Sequence, residues 1–145
     1  THLTHDAPGS IAEIARLFGL NADVFVPIRS EQYGYDGALT LFDADELHRI
    51  ETICPYDGAK TMGRFLRRFG PSLYMCYGET DDLGALRERL KSIAPDAWTG
   101  GDENDDGLFI HPRVLGGVML GVSRTSHAWV WSGRPERRLP GPTEG

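Results

Sequence analysis

Cysteine is scarce in this chain. Cys54 and Cys76 are the only two among 145 residues, far apart, each inside an apolar run, so no disulfide framework is at hand. They read as buried free thiols in a reducing compartment. Long apolar runs are missing too: none approaches the roughly 20 residues that a membrane helix needs. No basic segment leads into an apolar stretch, so a cytoplasmic protein without a signal peptide is expected. Thr1 is not a natural start residue, and a first strand is expected to need residues ahead of it. Positive charge is in deficit, with 15 Lys and Arg against 21 Asp and Glu and a net charge of −6. That balance argues against a nucleic-acid partner and suits plain solubility. Ser-His-Asp arrangements, a phosphate loop, CxxC and HExxH are all absent.

What is present is enough for a core without disulfides or structural metal. Ile11, Ile14, Ala15, Leu17 and Phe18 form one apolar stripe at helical spacing, with Gly19 as a stop and Ser10 and Glu13 placed as a capping box. Residues 22–28, with Pro27, 38–42 and 47–54 read as strands, the last alternating apolar and polar until Pro55. Thr61 to Phe69 is a basic amphipathic segment closed by Gly70-Pro71. The second half repeats the order. A strand over 73–77 is followed by a helix from Asp81 through Ile93, with Leu83, Leu86, Leu90 and Ile93 on one face. Strands follow over 108–110 and 117–122, and one more is expected at His127–Trp131. Between 97 and 107 lies an acidic, Gly-rich loop, and residues from Arg134 onward read as a frayed tail. The order implies an α+β fold of two tandem βαβββ modules, module one about 1–60, a linker about 61–71, module two about 72–133 and a tail 134–145.

Phe109-Ile110-His111-Pro112-Arg113-Val114-Leu115-Gly116-Gly117-Val118-Met119-Leu120-Gly121-Val122 reads as two strands around an irregular loop. It resembles the closing phrase F-L-H-P-K-x-x-G-G-V-L-L-E-L of methylmalonyl-CoA epimerase-like members of the vicinal-oxygen-chelate superfamily, which also holds glyoxalases and bleomycin-resistance proteins. Arg49-Ile50-Glu51-Thr52-Ile53-Cys54-Pro55 with Gly63 to Gly70 is similar to the epimerase phrase K-I-E-L-L-E-P…F-L-x-x-x-G. Leu73 through Leu90 is similar to L-H-H-I-A-F-E-V-D-D-I-x-A-A-L-x-x-L. The resemblance spans nearly the whole chain and implies paired βαβββ modules that curl a sheet around a cleft in a single domain, 1–145. It also implies a homodimer acting on a small molecule, with neither nucleic acid nor membrane as partner.

The same resemblance implies a divalent metal held by four side chains, two per module. Carried over, His2 matches the first ligand and Glu51 the second. Met75 and Gly121 stand where the third and fourth belong. A thioether suits a hard cation poorly and glycine offers nothing, so the metal set is reduced to His2 and Glu51. Any other ion would draw on residues such as His5 or His127. Glu51 is the candidate catalytic base, for proton abstraction next to a carbonyl of a small acyl or keto substrate; an outward-facing Glu on a half-exposed strand is the plain alternative. His111 before proline reads as a loop residue. Tyr74 and Met75 would fill the vacated metal pocket. Trp129 and Trp131 would share a strand face, as a stacking wall or as core. Arg64, Arg67 and Arg68 suit either a phosphate or a solvated face. Against a lyase- or isomerase-type enzyme with a degenerate metal site stands a non-catalytic binding protein that sequesters an aromatic or cationic compound.

Overall fold

The computed structural model describes residues 1–100 and 106–141. Most of the acidic loop (Asp102, Glu103, Asn104, Asp105) lies outside the described residues. The chain divides into two units, Thr1–Tyr74 and Met75–Gly145, so the basic segment after the first module belongs with the first unit.

The first unit holds β1 (His2–Leu3), α1 (Ala7–Phe18), β2 (Val26–Ser30), β3 (Tyr35–Leu39), β4 (Glu51–Pro55), α2 (Thr61–Phe69) and β5 (Ser72–Leu73). The helix α1 starts earlier than its apolar stripe suggests. Asp6, not Ser10, is its N-cap, and the Asp6 carboxylate accepts from the backbone N–H of Gly9 at 3.0 Å. Pro8 tolerates this place because the first-turn N–H groups lack partners anyway. Gly19 ends the helix with a left-handed φ of 65°, as its lack of a Cβ permits. The sheet order is β2-β3-β4-β1-β5, with β1 parallel to β4 and its other pairings antiparallel. Leu3 and Ile53, paired across β1 and β4, are fully buried.

The second unit holds β6 (Met75–Thr80), α3 (Leu83–Ile93), β7 (Trp98–Gly100), β8 (Gly107–Ile110) and β9 (Met119–Arg124). Asp82 caps α3, accepting from Ala85 N–H at 2.8 Å. The sheet order is β6-β9-β8-β7, giving βαβββ once more. Leu108, Ile110 and Val122 point to one face of this sheet and form a core with Leu83 and Leu90 of α3. By the two-residue period of a strand, Met75, Tyr77, Glu79, Phe109, Gly121 and Ser123 share the opposite face, in register across β6, β9 and β8.

Three expectations are corrected. Residues His127–Val130 form a 3-10 turn rather than a strand, so Trp129 is 8% exposed and Trp131 is 39% exposed instead of sharing a face. The tail is not frayed over its described part: a 3-10 turn at Pro135–Arg137 carries Arg137 over the Trp129 ring at 5.0 Å, and Leu139 N–H donates to Ser126 Oγ at 2.8 Å. Neither thiol is fully buried, since Cys54 is half-buried and Cys76 exposed.

Candidate functional site

Glu51 opens β4, and its neighbours follow from register. On β3, Leu39 stands opposite Glu51 and Tyr35 opposite Pro55, so Tyr35, Gly37, Leu39, Glu51, Ile53 and Pro55 line one face. On β1, Leu3 faces Ile53, which brings Thr1 beside Glu51. The Thr1 hydroxyl donates to Oε2 of Glu51, and the Tyr35 hydroxyl donates to Oε1 at 3.4 Å. Burial, and then the Glu51 carboxylate, push the Tyr35 hydroxyl above its ordinary value, so it stays protonated through the neutral range. A carboxylate with two hydroxyl donors, on a face that it shares with the buried Leu3, Ile53 and Leu39, is a polar point in a largely apolar wall.

His2 does not join this group. It pairs with Thr52 on β4 and Leu73 on β5, and a shift of one residue reverses the face of a strand. His2 and Glu51 therefore stand on opposite sides of the sheet and do not bind one ion. Burial holds the His2 imidazole below its ordinary value.

In the second unit, the position expected for the fourth ligand is closed by a ring. A Cβ added to Gly121 would lie 2.7 Å from Cδ2 of Tyr77 and 3.3 Å from Cε1 of Phe109. The Tyr77 ring thus occupies the space into which a ligating side chain at 121 would project. Its own edge contact is with Trp131, ring centres 5.3 Å apart. Burial of the hydroxyl end pushes Tyr77 up to about 12. Met75 is on the same face but offers only its thioether. Among the described residues no group of three His, Cys, Asp or Glu side chains is placed to hold a metal ion. The residues present therefore do not fit the divalent ion of the resemblance. Tyr74, expected in that pocket, packs in the first unit instead, 4.9 Å from Phe65.

A second polar cluster gathers at the C-terminal ends of β6 and β9. Glu79 accepts from the backbone N–H of Ser126 at 3.1 Å and of Ala128 at 3.2 Å. Ser126 has a φ of 71°, alone among non-glycine residues described in the left-handed region. Asp106, just ahead of β8, accepts from Arg124 Nε, and its Oδ2 lies 3.2 Å from His127 Nδ1. Burial works to raise the Asp106 carboxyl, but Arg124 and His127 outweigh it and hold it below its ordinary value. Burial lowers the His127 imidazole, with Asp106 opposing. His111, by contrast, is a loop residue whose N–H donates to the Ala97 carbonyl. Arg64 and Arg67 turn onto the Ala59 and Gly58 carbonyls. The roles of Tyr35 and Tyr77 escaped the sequence because both depend on cross-strand register; the parity of Tyr77 with Met75 was the signal that could have found the latter.

No family model matches the chain, and no curated protein matches it in sequence. Solved structures do resemble it. Methylmalonyl-CoA epimerase from Mycobacterium tuberculosis superposes with a TM-score of 0.63 at 22% identity, over 85% of this chain and 83% of that one. A variant of Streptomyces coelicolor methylmalonyl-CoA epimerase in complex with 2-nitronate-propionyl-CoA gives 0.63 at 17% identity, over 86% and 93%. A hypothetical protein from Bacillus halodurans C-125 gives 0.63 at 14% identity, over 86% and 89%. At such identities the likeness shows the fold, that of the vicinal-oxygen-chelate proteins, in agreement with the α+β reading of two βαβββ modules.

Proposed function

We propose that this chain is a glyoxalase-like enzyme of the isomerase or lyase type, which removes a proton next to the carbonyl of a small acyl or keto substrate with Glu51 as the base. The observation that carries the reading is the Glu51 carboxylate on an otherwise apolar sheet face, with the Tyr35 hydroxyl at 3.4 Å. Abstraction next to a carbonyl leaves an enolate, which needs positive charge or hydrogen-bond donors. The divalent ion does not fit the donor set, so the donors must be protein groups. Tyr35 is suited to this: held protonated by burial, it donates to Glu51 while Glu51 is a carboxylate and is freed once Glu51 takes up the proton. The solved relatives named as methylmalonyl-CoA epimerases support an acyl thioester as the substrate class. The same reading carries a cytoplasmic homodimer.

Deuterium uptake at C2 of methylmalonyl-CoA in D2O, followed by mass spectrometry, tests it. Wild type should exchange, and Glu51→Gln should exchange about 100-fold more slowly or worse, the usual range for loss of a general base. No uptake by wild type, or equal uptake by the variant, would sink the reading. The sequestering alternative keeps one observation in its favour, the half-open Tyr77 and Trp131 edges, 38% and 39% exposed. Saturable quenching of tryptophan fluorescence by an aromatic cation, with no exchange on any thioester, would shift the weight to it.

A further inference from the structure

We propose that the segment from Ser126 to Leu139 is a self-inhibiting clasp. It hinges at Ser126, is latched to the second sheet by Glu79, and holds the Trp131 indole where a planar aromatic ligand would lie against Tyr77. All its parts belong to the second unit, and it stands independently of any role for Glu51.

The backbone places the hinge. Thr125 still follows the sheet, its N–H donating to the Thr80 carbonyl at 3.2 Å and its hydroxyl to Asp81 Oδ1 at 2.7 Å. One residue later Ser126 turns left-handed, with a φ of 71°, and the chain leaves the sheet. It returns at Leu139, whose N–H donates to Ser126 Oγ at 2.8 Å and whose carbonyl accepts from Arg124 Nη1 at 2.8 Å. Within the segment Arg137 lies over the Trp129 ring at 5.0 Å, and Ser132 Oγ donates to the Ala128 carbonyl at 2.8 Å. A surface loop whose ends meet and whose own side chains hold it together is a compact unit, and such units open separately from the core.

The latch is local. Glu79, on the sheet face, accepts from the N–H groups of Ser126 and Ala128 at 3.1 and 3.2 Å. Trp131 meets the Tyr77 ring edge-on, centres 5.3 Å apart. Against these contacts the closed state sets two kinds of cost. A serine at positive φ is strained, and strain of this kind gathers at clamps and switches. His127 Nδ1 and Arg124 Nη2 are also buried with no hydrogen-bond partner among the described residues, and such atoms regain water when a segment over them lifts. A latch balanced against strain and unpaired polar atoms makes an element with two arrangements.

Trp131 occupies a place made for a ring. Tyr77 lies over Gly121, which has no side chain, with Phe109 beside it. Edge-on packing against Tyr77 is open to any planar aromatic ring. Being tethered, Trp131 competes for that place at high effective concentration. A free ring binds only to the open fraction, so its apparent affinity falls by that fraction.

Indole, added to the full chain and followed through the Tyr77 ring resonances, tests this. Trp131→Ala should bind it saturably. Glu79→Ala, with the indole side chain still present, should bind it about tenfold or more tighter than wild type, since two hydrogen bonds to a charged group no longer hold the clasp shut. In a Trp131→Ala background the Glu79→Ala change should add nothing. No binding to Trp131→Ala, no gain from Glu79→Ala, or an equal gain in both backgrounds would overturn the proposal. Far-ultraviolet dichroism checks each fold, and Glu79→Gln, which keeps an uncharged acceptor, should fall between wild type and Glu79→Ala. Wild type alone gives a further test. Its Ser126 and Ala128 amides should exchange through an opening with a shallower urea dependence than that of Leu120 and Val122 in β9; opening only with β9 would equally sink the clasp.

Discussion

Alanine at position 121 tests the claim that the Tyr77 ring fills the space over Gly121. The new methyl carbon would lie 2.7 Å from Cδ2 and 3.0 Å from Cε2 of Tyr77, and 3.3 Å from Cε1 of Phe109. Carbon atoms in ordinary contact sit at about 3.5–4.0 Å, so the nearest ring atom is roughly 1 Å too close. Tyr77 is not free to swing aside, because Trp131 stands against it. Overpacking of this kind costs about 1–3 kcal/mol, partly offset by the ~0.5–1 kcal/mol that alanine gains over glycine within a strand. Urea unfolding of Gly121→Ala should therefore show a lower midpoint with an unchanged slope, a net loss of about 1–2 kcal/mol. The decisive measurement is the double variant. In a Tyr77→Ala background the same alanine should be neutral or stabilising, giving a coupling energy of about 1 kcal/mol or more. A Gly121→Ala protein as stable as wild type, or an equal loss in both backgrounds, would refute the argument that this ring fills this space.

Other outcomes follow from the same geometry. Asp6→Ala, which removes the α1 cap, should cost about 1 kcal/mol by thermal or urea unfolding, and Asp82→Ala at α3 a similar amount. Leu108→Ala, at a position 1% exposed, should cost about 2–5 kcal/mol in the same assay. Tyr77 gives a pH signature. Its proton leaves near about 12 in the native chain, against 10.0 for an ordinary tyrosine. Between those values the unfolded chain binds fewer protons than the native one, so stability present below pH 10 is lost as the pH rises through that window. Tyr35 acts in the same direction, and Tyr77→Phe should flatten the decline measured by unfolding at stepped pH.

How much of this was legible in the sequence depended on how many residues carried each signal. The α1 stripe repeats over about two turns, and Gly19 could be placed as its end from one residue because only glycine takes a φ of 65° cheaply. The Phe109–Val122 hairpin was equally plain. The cap was misjudged because Ser10 and Asp6 are both good N-caps, and the stripe begins only at Ile11 although the helix begins at Ala7. The face of His2 was beyond reach for a different reason. A strand of two residues has no period to read, and its register comes from pairing with Thr52, on the far side of α1, β2 and β3 in sequence. Trp129 and Trp131 show the converse error: their alternation suggests a strand, but the backbone just ahead of them is a turn whose Ser126 and Ala128 N–H groups donate to Glu79, and no feature near the two tryptophans announces that.

The gap at Gly121 also has a bearing on descent. Starting from this chain, a ligating residue at 121 meets the Tyr77 ring, while a small residue at 77 leaves Gly121 facing an empty space beside Phe109 and Trp131. Each single change lowers stability by an amount that matters to a protein with only about 5–15 kcal/mol to lose, and only the two together restore a filled face. A lineage that holds the tyrosine and the glycine as a pair is therefore kept there, because either change alone leads through a weaker fold.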